Sequence, residues 1–199
     1  EIGDAYGYDS IWLSDSVVGH RFPMAPLVAL AMMSGLSSKL KFGTSVLALP
    51  LRNPVLLAKD LATLDYLSCG RILPAVGLGS SNPAEYEACG VSKQDRGQRA
   101  DEALGVMRRL WREESVTHKG KFFRLTNVSI VPKPVQQPNL PIWIGGRSKS
   151  AQKRVGRIGD GWLVSQATAT EINQALETIF GTAKQFNRQI EPDHIGTML

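Results

Sequence analysis

The sequence predicts an α/β protein built on parallel strands covered by helices. Three observations carry this. Short apolar runs rich in β-branched and aromatic residues alternate with longer segments of helical period. Glycine- or serine-containing turns end the apolar runs and open the helical ones. No repeat of solenoid length, low-complexity tract or composition shift marks a second domain, so 1–199 reads as a single domain.

The elements follow in order. Residues 1–6 read as the tail of a helix, and Ser10–Ser14 as a buried strand leading to a helix over about 25–37. A second strand runs from Leu40 to Leu47. The helix after it, Pro54–Leu67, places Leu57, Leu61 and Leu64 on one face, with Asn53 as cap, Pro54 in the first turn and Gly70 as stop. Arg71–Val76 is the third strand, ending in Gly77-Leu78-Gly79-Ser80-Ser81. A long helix over 95–113 carries Leu104, Met107 and Trp111 on one stripe. Between 116 and 135 the pattern changes: Gly120, Phe122, Phe123, Leu125, Val128, Ile130 and Val131 read as a β-hairpin insertion, closed by Pro132, Pro134 and Pro138. Alternation then resumes with a strand at 141–144, a helix at 150–158 and a strand at 161–164. Ile172, Ala175, Leu176, Ile179 and Ala183 define a further helix, and 194–198 a last strand.

Two architectures answer to this pattern, an open doubly wound sheet and a closed (β/α)8 barrel, and the barrel takes ~250 residues. Six strands, a start inside a helix and a stop within a strand match a barrel lacking its first strand and last unit. The expectation is therefore an incomplete (β/α)8 TIM barrel.

Composition narrows the function. There are 23 basic against 18 acidic residues, a net charge of +5, but the basic residues are scattered and no run resembles a nucleic-acid arm. Cys69 and Cys89 lack metal-ligand spacing and read as reduced thiols. No apolar stretch approaches the ~20 residues that span a bilayer, and no signal peptide is visible; a cytoplasmic protein without membrane or nucleic-acid partners is expected.

In parallel α/β folds ligands sit at the carboxyl ends of the strands. That selects Asp15–His20, Ser45–Arg52, Gly77–Ser81, Gly145–Ser148 and Ser165–Gln166. Gly145-Gly146-Arg147-Ser148 follows a strand and opens a helix, a setting that suits a phosphate, although a glycine pair there is most often only a turn. Gly77-Leu78-Gly79 lacks the third glycine of a dinucleotide fingerprint. Asp15 is a candidate hydrogen-bonding group, with a turn cap as the simpler reading. His20 is a candidate acid or base, though a lone loop histidine is more often just solvated. Trp12, Trp111, Trp143 and Trp162 read as core, and Arg96 and Arg99 as structural partners of Asp101 or Glu102. No Ser-His-Asp, metal-ligand or paired-carboxylate constellation emerges, as expected where a cofactor carries the chemistry.

Several ordered segments together resemble the luciferase-like monooxygenase family: Lys41-Phe42-Gly43-Thr44-Ser45-Val46-Leu47, Arg52-Asn53-Pro54 to Lys59, Leu64-Asp65-Tyr66-Leu67-Ser68-Cys69-Gly70-Arg71, Gly120-Lys121-Phe122-Phe123, and Gly159-Asp160-Gly161-Trp162. Within it, the chain is most similar to the branch that uses coenzyme F-420, an 8-hydroxy-5-deazaflavin. The resemblance implies a barrel oxidoreductase transferring hydride between F-420 and a small organic substrate. It implies a non-proline cis peptide at Ser45-Val46 against the ring, Asp15 at the ring edge, contacts from Gly77 and Leu78, and a phosphate loop at Gly145, Gly146 and Arg147. His20 is the candidate proton donor. The family's alternatives are an FMN-dependent monooxygenase served by a flavin or F-420 reductase, and a truncated non-catalytic flavin-binding barrel; a homodimer also fits the family. The chain departs from the family's sugar-phosphate dehydrogenases at Ser16, where they have histidine, and at Ser80, where they have glutamate.

Overall fold

The computed structural model describes residues 2–18 and 24–198. After a short α1 (Ile2–Ala5), β1 (Ser10–Leu13) pairs in parallel with β2 (Lys41–Thr44), and β2 with β4 (Ile72–Leu73). Past an interruption at Ser45-Val46 the second strand resumes as β3 (Leu47–Ala48), which pairs with β5 (Ala75–Gly77) beyond Pro74. An antiparallel hairpin of β6 (Val116–Lys119) and β7 (Arg124–Val128) follows, as the sequence predicts. The parallel ladder then continues from β5 to β8 (Trp143–Gly145), β9 (Gly161–Ser165) and β10 (Ile195–Met198).

Apart from the hairpin, strand order in space follows strand order in sequence, and every pairing is parallel. A doubly wound sheet would reverse direction at a switch point, so this is the arc of a (β/α) barrel. Its curvature is directly visible. β1 and β8 lie three strand spacings apart along the ladder, ~14 Å if the sheet were flat. Yet the rings of Trp12 and Trp143 are 5.5 Å apart, and Trp143 lies 5.5 Å from His194 on the far side. The sheet curls until these rings meet, and Ala75, Leu163 and Val46 fill the inner layer around them.

The outer layer comprises α2 (Pro26–Ser34), α3 (Pro54–Leu67), α4 (Pro83–Ala88), α5 (Arg96–Arg112), α6 (Lys149–Ile158) and α7 (Ala169–Gln185). Asn53 caps α3 as its sequence predicts, its side chain accepting the Val55 and Leu56 N–H groups. Thr168 and Glu171 form a reciprocal capping box on α7. Between sheet and helices lies a continuous apolar core that includes Phe42, Ile72, Ile144 and Trp162 facing Leu61, Leu104, Met107, Val155 and Ile179.

Two acids, the buried Asp65 and the half-buried Glu102, tie loops to this frame. Asp65 accepts the Val135 and Gln136 N–H groups (2.7 and 3.0 Å) and the Gln136 side-chain amide. Glu102 accepts N–H groups of Lys121, Phe122 and Phe123 and meets His118 Nε2 at 3.1 Å, clamping the hairpin to α5. Burial raises the Glu102 carboxyl pKa, but the His118 hydrogen bond, the backbone donors and the His118 charge outweigh it and hold it below the ordinary value. The pairing expected for Arg96 and Arg99 is corrected here. Asp101 pairs instead with Arg154 and Arg157, while Arg99 lies over the Phe123 ring and Arg96 over Tyr86. These two arginines find aromatic faces because α5 turns them towards the hairpin and α4 rather than along its own surface.

Candidate active site

The carboxyl ends of all six strand positions open into one cavity of about 560 Å³, within the range of ~300–1,000 Å³ that small-molecule sites occupy. Its wall takes Ser14, Asp15 and Ser16 after β1, Ser45, Val46 and Ala48 from the second strand, and Gly77, Leu78, Gly79 and Ser80 after β5. Gly145, Gly146, Arg147 and Ser148 follow β8, Leu163 to Ser165 come from β9, and Met198 from β10. The described site candidates, Asp15, Ser45, Val46, Gly77, Leu78, Gly145, Gly146 and Arg147, are thus brought together. His20 falls within 19–23 and lies outside the described residues.

Val46 is the centre of this arrangement. The Ser45-Val46 peptide is cis, and the valine side chain sits between two glycines. A Cβ at Gly77 would come within 2.6 Å of Val46 Cγ2, and one at Gly145 within 2.7 Å of Cγ1. Neither glycine can carry a side chain while Val46 stands there. The two glycines therefore seat an apolar residue in the cavity wall, with Leu78 and Leu163 nearby.

Gly146 has φ +129°, a conformation that favours glycine. The Gly145–Ser148 turn is fixed from outside: Trp162 Nε1 donates to Gly146 O (2.9 Å) and Gly146 N to Leu163 O (3.3 Å). Ser148 caps α6 by accepting the Ala151 N–H. Arg147 and Ser148 line the cavity at the start of α6, and an arginine beside a helix N-terminus is a combination that suits a phosphate. Arg147 is held by Glu171 at 2.6 Å, both side chains half exposed.

The Asp15 side chain is almost fully buried. Its two oxygens take Arg52 Nη2 at 2.8 and 2.7 Å, and one also takes the Ala48 N–H at 3.0 Å. In this structure the carboxylate ties the β1 loop to β3 and Arg52.

The sequence reading missed Glu85. It lies in the first turn of α4, 2% exposed, at the cavity wall. Its Oε1 accepts the Val17 N–H at 2.8 Å and its Oε2 the Ser80 hydroxyl at 2.8 Å, with Ser16 Oγ 3.5 Å away. Burial pushes its carboxyl pKa up, but the Ser80 hydroxyl, the Val17 and Val18 amides and the Ser16 hydroxyl outweigh burial, leaving it below the ordinary value. Asn82-Pro83 was the available signal, because it repeats the Asn53-Pro54 cap and start of α3, and Asn82 indeed caps α4. Among the described residues no group of histidine, cysteine, aspartate or glutamate forms a metal site, and no helix is long and apolar enough to cross a membrane.

Residues 2–198 match the family model described as luciferase-like monooxygenase. The chain belongs to this family. An F-420-dependent glucose-6-phosphate dehydrogenase of Kineococcus radiotolerans is 33% identical over 204 residues, which cover 93% of this chain and 59% of that protein. The chain thus spans about three-fifths of the relative's length. Among solved structures, an F-420-dependent secondary alcohol dehydrogenase in complex with an F-420–acetone adduct superposes with a TM-score of 0.85 at 24% identity, covering 98% of this chain and 60% of that one. The FMN-bound oxygenating constituent of a Pseudomonas putida diketocamphane monooxygenase superposes with a TM-score of 0.86 at 18% identity, covering 98% and 58%. These structural likenesses are likenesses of fold, and they agree with the barrel arc described above.

Proposed function

We propose that this luciferase-like chain carries the coenzyme site of an oxidoreductase that transfers hydride between coenzyme F-420 and a small organic substrate. The observation that carries the reading is the cavity itself: an apolar residue seated on two glycines at one end, and a helix start with Arg147 at the other, at the carboxyl ends of six parallel strands. Bound F-420 would supply a ring carbon able to accept or give a hydride.

The protein's part is placement. Val46, with Leu78 and Leu163, offers the apolar wall against which a flat ring can rest. Arg147 and the N–H groups at the start of α6 would hold a phosphate, which fixes the ring's distance along the wall. Asp15 acts as a positioning residue, keeping the β1 loop and β3 together through Arg52 and Ala48. His20 stays the candidate proton donor of the β1 loop. A substrate then occupies what remains of the cavity between the β1 and β5 loops.

FMN is the second reading, because the same wall and phosphate end suit it and an FMN-bound neighbour shares the fold. An oxygen-using FMN enzyme would also require a reductase partner. The distinguishing experiment is turnover of alcohols and carbonyl compounds by the chain under strict anaerobiosis, followed by the absorbance of oxidised F-420. Coenzyme reduction or reoxidation without oxygen supports hydride transfer. Product formation that requires both oxygen and reduced FMN overturns it in favour of the monooxygenase.

A further inference from the structure

The cavity wall carries two guanidinium groups, and the structure pairs only one of them. Arg147 has Glu171, but Arg96 has no carboxylate partner among the described residues. Half-buried in the first turn of α5, Arg96 lies with its guanidinium carbon 6.0 Å from the centre of the Tyr86 ring. That ring is itself fixed: it is buried, and its hydroxyl is bonded to Leu78 O and Ser80 O. The acids of the same helix and the same wall are engaged elsewhere. Asp95 pairs with Lys121 at 2.9 Å, Asp101 with Arg154 and Arg157, and Glu102 clamps the hairpin. Glu85 turns its oxygens to the Val17 N–H and the Ser80 hydroxyl, and Asp15 is held by Arg52.

A ring face attracts a cation without cancelling its charge. While the cavity holds water, the Arg96 guanidinium is solvated. A neutral ligand that displaces this water leaves the cation without a partner, whereas an anion replaces water with charge-assisted hydrogen bonds to the planar fork. Resting on the proposed function, we propose that Arg96 recognises the substrate and that the substrate is a small organic monocarboxylate. Position assigns the residue to the substrate: it rests on Tyr86 beside the β5 loop, whereas the phosphate end of the coenzyme site follows β8. Charge assigns the class. A phosphate monoester carries about −1.5 to −2 at pH 7, of which one guanidinium offsets a single charge. Glu85 stands in the same wall and repels the remainder. A carboxylate carries one charge and presents two oxygens to the fork. The sugar phosphate named for the Kineococcus relative is therefore the poorer match, in line with the departures at Ser16 and Ser80.

The test titrates the chain without coenzyme against benzoate and its neutral near-isostere benzamide, by ligand-observed NMR at low salt. Benzoate is expected to bind about tenfold more tightly. The preference should persist with inorganic phosphate at a concentration that saturates its own binding at the Arg147 end. Under that phosphate, phenyl phosphate should bind no more tightly than benzoate. In Arg96→Gln, benzoate should fall to the affinity of benzamide while inorganic phosphate still binds. A wild-type chain that shows no preference or binds neither compound overturns the proposal, as does an undiminished preference in a folded Arg96→Gln. Displacement of benzoate by phosphate, or loss of phosphate binding in a folded Arg96→Gln, overturns it by giving Arg96 to the coenzyme's phosphate. Tighter binding of phenyl phosphate overturns the single-charge class. Circular dichroism and melting identify folded variants, and should Arg96→Gln not fold, the wild-type competition with phosphate decides alone. Binding of F-420 itself is measured separately. Its failure would sink the coenzyme reading while the benzoate-to-benzamide ratio still reports on Arg96.

Discussion

Replacing Gly145 with alanine tests the seating of Val46 most sharply. The new Cβ would stand 2.7 Å from Val46 Cγ1, about 0.7 Å inside the 3.4 Å at which ordinary contact begins. Gly77 packs against the other methyl, where an added Cβ would come within 2.6 Å of Val46 Cγ2. Overpacking of this kind costs about 1–3 kcal/mol. Gly145 does not have a positive φ, so backbone strain adds nothing and the whole penalty is assigned to one contact. Val46→Ala alone removes two half-buried methyls and costs about 1 kcal/mol. In the double variant the clash is gone, so Gly145→Ala should then cost less than about 0.5 kcal/mol, a coupling of about 1–2 kcal/mol. Urea unfolding of the four proteins, with equal dependence on denaturant, measures it. A penalty for Gly145→Ala that is the same with and without the valine methyls would refute the seat and leave the glycine's presence to some other cause.

Other perturbations have defined directions. Gly105 lies exposed in α5 with nothing within 4 Å of an added Cβ, so Gly105→Ala should stabilise by about 0.5–1 kcal/mol in the same unfolding assay. Glu102 has a carboxyl pKa depressed in the folded state, so its contribution is present above its unfolded pKa and lost as pH falls through the folded one. The stability difference between wild type and Glu102→Gln, measured by melting from pH 7 down to pH 3, should therefore shrink in acid; a difference that grows would contradict the clamp. Glu171→Gln preserves the capping-box pattern and releases Arg147, so inorganic phosphate should bind several-fold more tightly by calorimetry, while unchanged affinity would separate Arg147 from anion binding.

Much of this fold was legible because local rules and tertiary demands agree. Asn53-Pro54 reads as a helix start and is one; Ile172, Ala175, Ile179 and Ala183 read as a buried stripe, and α7 packs along it. The Gly145–Ser148 turn was legible for the same reason, since a strand, two glycines and a capping serine all state one geometry. What escaped depends on contacts distant in sequence. The second and third strands read as continuous apolar runs, yet each breaks where it must turn a side chain inward, at Ser45-Val46 and at Pro74. The short α4 has no apolar stripe, so Glu85 gave no periodic signal, and its partners Ser16 and Val17 lie 69 and 68 residues away. Trp162 was read as core, which it is, but its indole N–H also locks Gly146, a role no spacing could reveal.

The central claim is that this cavity holds a deazaflavin, with its phosphate at Arg147 and the start of α6. Fluorescence titration of the chain with oxidised F-420 and, separately, FMN tests it most directly, with Arg147→Ala beside wild type. The account predicts saturable binding of F-420, about tenfold or more tighter than FMN (a difference of at least ~1.4 kcal/mol), and weakened several-fold by Arg147→Ala. Tighter binding of FMN, or no binding of either by a chain that melts cooperatively, would contradict it.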